Sequence, residues 1–425
     1  MPGFGDWVRG VFGGKKEQQP DASLPQATAS TEAHAAGEPS GAFAGGHNEF
    51  ALALYGRLGP ERGNLFFSPL SVRTCLAMAY AGARGETAAQ MGRALRLPAA
   101  DDALHGAFAA VIQGLNAAGA GADDLTVANS VWVQDGSLPV AEYLDTITRH
   151  YGGGVNLVDF RRRTEVARAA INQWAEDTTR QRIRGLIPPG GVQADTRLVL
   201  ANAAYFKGLW EQAFRRNFTR DEPFHLEDGS EARVPLMHLW GTVRYSDAFG
   251  CQAVDLDYGR GGLSMLILLP HRRNALRDLE VKLSGGRLRA FTSSMVMQGV
   301  EVLLPRFRIE WGAVDLGQPL RTLGMPLAFT PSQADFSGIT GLEPSDADAV
   351  FLSAVYHKAF VDVNEEGTEA AAATATGAPI AAMRGSRPEP VPVFRADHPF
   401  IFAIRDRLSG VILFLGRVAD PTRES

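Results

Sequence analysis

Near the C-terminal end of the chain lies a segment that limits what the rest can fold into: Glu365-Glu366-Gly367-Thr368-Glu369-Ala370-Ala371-Ala372-Ala373-Thr374-Ala375-Thr376-Gly377-Ala378. It follows a strand-like run, Ala359 to Val363, and precedes a stretch from Pro379 to Asp397 that is rich in proline, glycine and charge. With a period of two, one face reads Thr368, Ala370, Ala372, Thr374, Thr376 and Ala378, so no large or charged side chain falls on it. Composition alone is satisfied by an Ala/Thr linker or an alanine-rich helix. A second reading is a strand that slides into a sheet already formed. Large side chains on its inward face would clash with a close-packed interior, so such a strand needs small ones. Gly367 would then supply the backbone freedom for the change of direction.

The body of the chain has the texture of a mixed fold. Residues 1–46 are rich in Gly, Ala, Ser, Gln and Pro, and cannot bury enough surface to offset their ordering entropy, so they are expected to be a disordered tail. Phe4, Trp7, Val8, Val11 and Phe12 would share one face of a short helix there. From His47 onward apolar periodicity is dense. Glu49 to Tyr55 reads as the start of an amphipathic helix, and Ser71 as the cap of a helix Val72 to Ala83 that is apolar nearly all round and so belongs in the interior. Leu125 to Val133 alternates like a strand, and residues 166–187 carry helical spacing through Ala170, Ile171, Trp174 and Ile183. Strand-like runs follow at Leu198 to Phe206, Met265 to Leu269, Val300 to Leu304, Phe360 to Val363, Phe400 to Ile404 and Val411 to Leu415. Helices first and strands later, without strict alternation, favour an α+β fold.

Several function classes drop out. With 42 Lys+Arg against 47 Asp+Glu the formal net charge is −5, and no basic stripe points to nucleic acid. Two cysteines, Cys75 and Cys251, are too few for a disulfide scaffold or a structural zinc site, and the nine histidines are scattered, so no metal or other cofactor is expected. There is no G-x-S-x-G elbow, H-E-x-x-H pair or P-loop, and Gly119-Ala120-Gly121 lacks the third glycine of a dinucleotide site. Cys75 on an all-apolar helix reads as a packed thiol. No active site of an enzyme emerges. Asp6 and Arg9 interrupt the first apolar residues, and Lys15-Lys16 follow them, so no secretory signal is recognisable; a cytoplasmic location is favoured over secretion. No apolar run reaches the roughly 18 residues of a transmembrane helix.

Five matches in order, the C-terminal segment among them, give that segment a context. Asn64-Leu65-Phe66-Phe67-Ser68-Pro69-Leu70-Ser71 with Gly82-Ala83-Arg84-Gly85-Glu86-Thr87, Asn202 to Trp210, His357-Lys358-Ala359-Phe360, the run Glu365 to Ala375, and Phe394-Arg395-Ala396-Asp397-His398-Pro399-Phe400 together resemble a serpin across residues 47–425. The resemblance implies an α+β fold of three β-sheets and about nine helices, with an exposed reactive-centre loop at about 365–393. It implies a suicide-type inhibitor, not an enzyme. A serine protease cleaves the loop, and the loop inserts as an extra strand and traps the acyl-enzyme. The alternative is a non-inhibitory serpin acting as a carrier, chaperone or binding protein, whose hinge is often bulky or charged.

Residue by residue, the resemblance makes Glu365, Glu366, Gly367, Thr368, Glu369, Ala370, Ala371, Ala372, Ala373 and Thr374 the hinge. Ser68, Ser71, Asn202 and His357 resemble the polar shutter under the sheet, and Trp210 the tryptophan at the breach where insertion begins. Glu365 pairs with Arg306, and if exposed the pair is worth only about 0–1 kcal/mol. Family spacing from Gly367 places the reactive bond at Ala381-Ala382, predicting an elastase- or subtilisin-like target. Counting back from Asp397 lands a few residues later, past Met383 and Arg384-Gly385, and Arg384 predicts a trypsin-like one. The long loop with Pro379, Pro388, Pro390 and Pro392 departs from the family pattern and would loosen the tether. The helix around Ala99 to Ala118 is almost without basic residues, so no polyanion activation is expected. The reading is of a monomer, and its excess of Arg over Lys with abundant Ala points to a GC-rich, bacterial gene.

Overall fold

A computed structural model describes residues 41–59, 63–98, 101–118, 124–152, 154–259, 262–368 and 391–423, all within the unit Gly37–Ser425. The first helix, Gly41–Leu58, begins ahead of the boundary read at His47. Phe43 explains the difference: it is buried, edge-on to Phe108 at 5.1 Å between ring centroids, with the Arg73 guanidinium 4.9 Å above its ring. The second helix is Pro69–Ala81, and its cap is Ser68, not Ser71; Ser68 Oγ accepts a hydrogen bond from the Ser71 backbone N–H at 3.2 Å. Pro69, with its fixed φ and no N–H to leave unpaired, suits the first helical position. Twelve of this helix's residues are buried, as its all-round apolar pattern requires.

Helical spacing between residues 166 and 187 yields a shorter helix, Thr164–Thr178. Arg180 and Gln181 both take left-handed backbone conformations (φ 51° and 65°) and end it, and Ile183 packs from the following loop. The helix around Ala99 to Ala118, almost without basic residues, resolves as Asp102–Ala118. Ten α-helices occur among the described residues.

Among the described residues the strands form two hydrogen-bonded sheets rather than three separate ones, because one strand is shared. Glu231–Ala248, 18 residues long, pairs in turn with Arg220–His225, Val296–Pro305 and Cys251–Asp257, and so joins two sheets into one of nine strands. The other sheet has six strands in the order Phe307–Asp315, Leu352–Val363, Gly367–Thr368, Leu198–Leu209, Asp124–Gln134 and Val155–Val158.

That second sheet is covered on both faces. Leu198, Leu200, Ala204 and Phe206 point into the main core with the Pro69–Ala81 helix. Val199, Ala201, Ala203 and Tyr205 point into a second cluster under the Thr164–Thr178 helix, with Ile171, Ala175, Ile183 and Ile187. A strand buried on both faces reads as a nearly continuous apolar run, which is why Leu198 to Phe206 is so legible.

Candidate functional site: a partly made strand at the top of the sheet

The chain leaves the strand Leu352–Val363, turns over Asn364 to Gly367, and returns for two residues. Gly367–Thr368 is antiparallel to both neighbours, with Thr368 opposite Val363 and Gly208, and Gly367 opposite Leu209. Below this wedge the flanking strands Leu352–Val363 and Leu198–Leu209 pair directly with one another, in parallel, from Phe360 with Tyr205 down to Leu352 with Leu198. Only glycine fits the pivot. Gly367 has φ +155°, and a Cβ there would stand 2.0 Å from the Gly208 carbonyl oxygen. Thr368 is fully buried, and its Oγ1 shares a 2.7 Å hydrogen bond with the Tyr258 hydroxyl.

Polar groups anchor the turn. The Trp210 backbone N–H donates to the Glu366 carbonyl and the Phe214 N–H to the Glu365 carbonyl, each at 2.9 Å. Trp210 also donates its ring Nε1–H to the Asn364 carbonyl at 2.9 Å and stacks on Tyr258 with centroids 4.4 Å apart. Glu366 pairs with Arg216. Glu365 takes both its oxygens to Arg306 Nε at 2.9 and 2.8 Å, and accepts from Thr219 Oγ1 at 2.6 Å.

The sequence placed the Glu365–Arg306 pair correctly but not its environment. The Glu365 side chain is only 2% exposed, against 43% for Arg306. Burial pushes the carboxyl up, and the hydrogen bonds from Arg306 and Thr219 outweigh it, holding it below the ordinary glutamate value. Arg306→Ala strips a buried carboxylate of its main donor. The expected loss is about 1–3 kcal/mol, seen as a fall of about 2–4 °C in the unfolding temperature of the intact protein. An unchanged temperature would return the pair to the value of a surface ion pair.

Lower in the same sheet, Ser68, Ser71, Asn202 and His357, scattered over nearly 300 residues of sequence, come together. All four are fully buried. The Ser68 N–H donates to His357 Nε2 at 3.1 Å, so His357 carries its proton on Nδ1 and donates it to Asn202 Oδ1. Asn202 donates to Ser71 Oγ, and Ser68 Oγ donates to the Leu413 carbonyl at 2.7 Å. Burial lowers the His357 pKa to about 3. Asn202 and His357 are register partners at the seam between the parallel strands, so the cluster ties together the two strands that an inserted strand would part.

Sequence reasoning missed Asn129, whose amide contacts both Ser71 and Asn202, and also Thr219 and Tyr258. None carries a local motif; each is defined by contacts far along the chain. The residues Glu369, Ala370, Ala371, Ala372, Ala373 and Thr374, with Ala381, Ala382, Met383, Arg384 and Gly385, lie outside the described residues. Cys75 behaves as a packed thiol: burial pushes it up to about 12.

The fold thus holds a short strand between two strands that otherwise pair, on an α+β frame with a polar cluster at the seam. The family profile described as Serpin (serine protease inhibitor) matches residues 46–421, and the chain belongs to the serpin family. It is 40% identical to an uncharacterized serpin-like protein of Thermococcus kodakarensis, over 88% of this chain and 84% of the relative. It is 39% identical to the leukocyte elastase inhibitor of Sus scrofa, over 88% and 98%. Among solved structures it is similar to Serpin48 of the insect Tenebrio molitor, with a TM-score of 0.77 and 32% identity, covering 88% of this chain and 97% of that one.

Proposed function

We propose that this serpin is a suicide-type inhibitor of serine proteases that works by inserting its reactive loop between the strands Leu198–Leu209 and Leu352–Val363. The observation that carries the reading is the wedge. Gly367–Thr368 already pairs with both flanking strands, and the register can continue without adjustment. Continued from Thr368, it would bring Thr374 level with both Asn202 and His357, and Ala378 level with Leu198, the first residue of its strand. The face turned to the main core would then be Thr368, Ala370, Ala372, Thr374, Thr376 and Ala378. A strand of threonine and alanine can pass a close-packed interior where leucine could not.

Insertion replaces one parallel ladder with two antiparallel ones, a gain withheld in the intact chain by the connection at its far end. When a protease serine attacks the scissile carbonyl, the C–N bond breaks, the new amine leaves, and the acyl ester stays on the loop. With that connection cut, the ester-bearing end is free to move. About 14 residues at roughly 3.3 Å each carry it about 45 Å, the length of a domain. The enzyme remains trapped if this outruns hydrolysis of the ester.

Ala381-Ala382 is the favoured reactive bond, which calls for an elastase- or subtilisin-like target; Arg384-Gly385 would call for a trypsin-like one. The leukocyte elastase inhibitors among the relatives support the first. Small, uncharged residues on the core-facing side of the hinge (Thr368, Ala370, Ala372 and Thr374) separate this reading from a carrier or chaperone role. The test is incubation with elastase, subtilisin and trypsin, followed by a denaturing gel and mass mapping of the nicked loop. A band at the summed mass of both proteins is expected. Clean cleavage by all three without that band would favour the non-inhibitory alternative.

A further inference from the structure

We infer that Tyr205 and Phe360 form a latch that holds the main sheet closed below the hinge and sets the rate of loop insertion. The inference rests on the insertion reading above and adds to it the residues that control the step dividing inhibitor from substrate. Tyr205 and Phe360 are cross-strand partners on Leu198–Leu209 and Leu352–Val363, the last pair before the wedge parts these strands. Their rings stack with centroids 6.3 Å apart and planes 26° apart, and both are buried in the cluster under the Thr164–Thr178 helix. Each ring bears a guanidinium: Arg182 lies 5.9 Å from the Tyr205 centroid and Arg308 5.1 Å from that of Phe360.

No other cross-strand pair on this face of the seam matches large with large. The next positions down pair Lys358 with Ala203, Tyr356 with Ala201 and Ala354 with Val199. The stacked rings are therefore the strongest side-chain bond across the seam on that face, placed where opening must start.

Continuing the register of Thr368 against either neighbour brings Ala371 level with both Tyr205 and Phe360. A strand inserted there moves its neighbours from about 4.8 Å apart to about 9.6 Å, too far for the rings to remain stacked. The third residue beyond Thr368 can enter only once this pair has separated. The latch guards against insertion before cleavage, at the cost of slowing it afterwards.

Peptide annealing to the intact protein tests the latch without any target protease. A synthetic peptide with the sequence of residues 368–378 is added in excess, and its uptake is followed by the rise in heat stability. Tyr205→Leu and Phe360→Leu keep an apolar side chain but remove the stack. An aromatic pair of ordinary strength predicts uptake about two- to tenfold faster in either variant. Tyr205→Phe, which keeps the ring, should anneal at the unmodified rate. The double variant should be no faster than the faster single one, because one substitution already opens the latch.

Uptake at the unmodified rate in both leucine variants, or additive acceleration in the double variant, would overturn the latch while leaving insertion intact. If the unmodified protein takes up no peptide and also gains no heat stability when its loop is nicked, the insertion reading falls and the latch falls with it.

Discussion

Replacing Thr368 by arginine is expected to turn the protein from an inhibitor into a substrate. Thr368 is fully buried between Gly208 and Val363, hydrogen-bonded to Tyr258, with Phe206 packed edge-on to that tyrosine at 4.9 Å. An arginine at this position has two outcomes. It can remain in place, where a guanidinium with no carboxylate partner would cost several kcal/mol. Otherwise the short strand leaves the sheet, and insertion must begin by forcing the same charge back in. Either way the barrier to insertion rises, by a factor of ten for every 1.4 kcal/mol.

The proposed reactive bond, Ala381-Ala382, lies more than ten residues further along the sequence, so acylation is expected to be untouched. Hydrolysis of the ester, whose rate is set by the protease, then wins the race. Two or more decades of slowing would remove the covalent complex from a gel and leave only the nicked chain. Thr368→Ser, which keeps the hydroxyl for Tyr258, should retain the complex. An unchanged yield of covalent complex in Thr368→Arg would refute insertion as the trapping step.

The parts of the site that could be read in the sequence are those whose constraint is local. The segment Glu365 to Ala378 stands out because it is small at every second position over a long run, the pattern that a strand passing a packed interior would need; of it the structure describes Glu365 to Thr368. The strand Leu198–Leu209 and the helix Pro69–Ala81 were visible because burial on every side leaves an unbroken apolar run. The cluster Ser68, Ser71, Asn202 and His357 was visible only by resemblance. Each alone is an ordinary polar residue, and its meaning lies in hydrogen bonds to partners 131 to 345 residues away.

Tyr258 and Asn129 had no such help. The bond of Tyr258 to Thr368 spans 110 residues, and nothing near either residue announces it. The long strand Glu231–Ala248 escaped notice for a different reason. Its Pro235, Gly241 and charged Arg233 and Arg244 punctuate the run, and Trp240 is half exposed, so the alternation of one buried face is broken. Pro235 is tolerated in that strand because it lies just past the last register pair with Val296–Pro305, Leu236 with Pro305, where its carbonyl accepts from the Arg306 N–H and no N–H is required of it.

Acid is expected to weaken the native state between pH 6.5 and 5, and His357 is one of the main causes; His105, also lowered by burial, adds to it. His357 and His47 are both fully buried, and burial holds each at about pKa 3, for His47 with help from nearby Arg73. In the unfolded chain both return to 6.5, so below that pH the unfolded state binds more protons and stability falls as pH falls. The slope is about 1.4 kcal/mol per pH unit for each residue. At pH 5 the loss for the two together is about 4 kcal/mol, or about 5 °C in unfolding temperature for a chain of this size. The buried carboxylates do not contribute in this window. Glu365, Asp255 and Asp397 are held below their ordinary values, and their stabilisation is lost only as pH falls through that lower range. For His357 the reason is also structural. Its Nε2 accepts the Ser68 N–H, and a proton added there would set two donors face to face at the seam of the sheet. Opening the seam exposes His357 to solvent and lets its pKa rise again, so acidification should both lower the unfolding temperature and speed peptide annealing between the parallel strands. Unfolding scans from pH 7.5 to 5 on the unmodified protein and on His357→Asn separate the His357 contribution from the others. The variant should keep the part of the slope that belongs to His47 and His105, and its annealing rate should no longer respond to pH. A flat profile in the unmodified protein would mean that none of these imidazoles stays neutral in the native state.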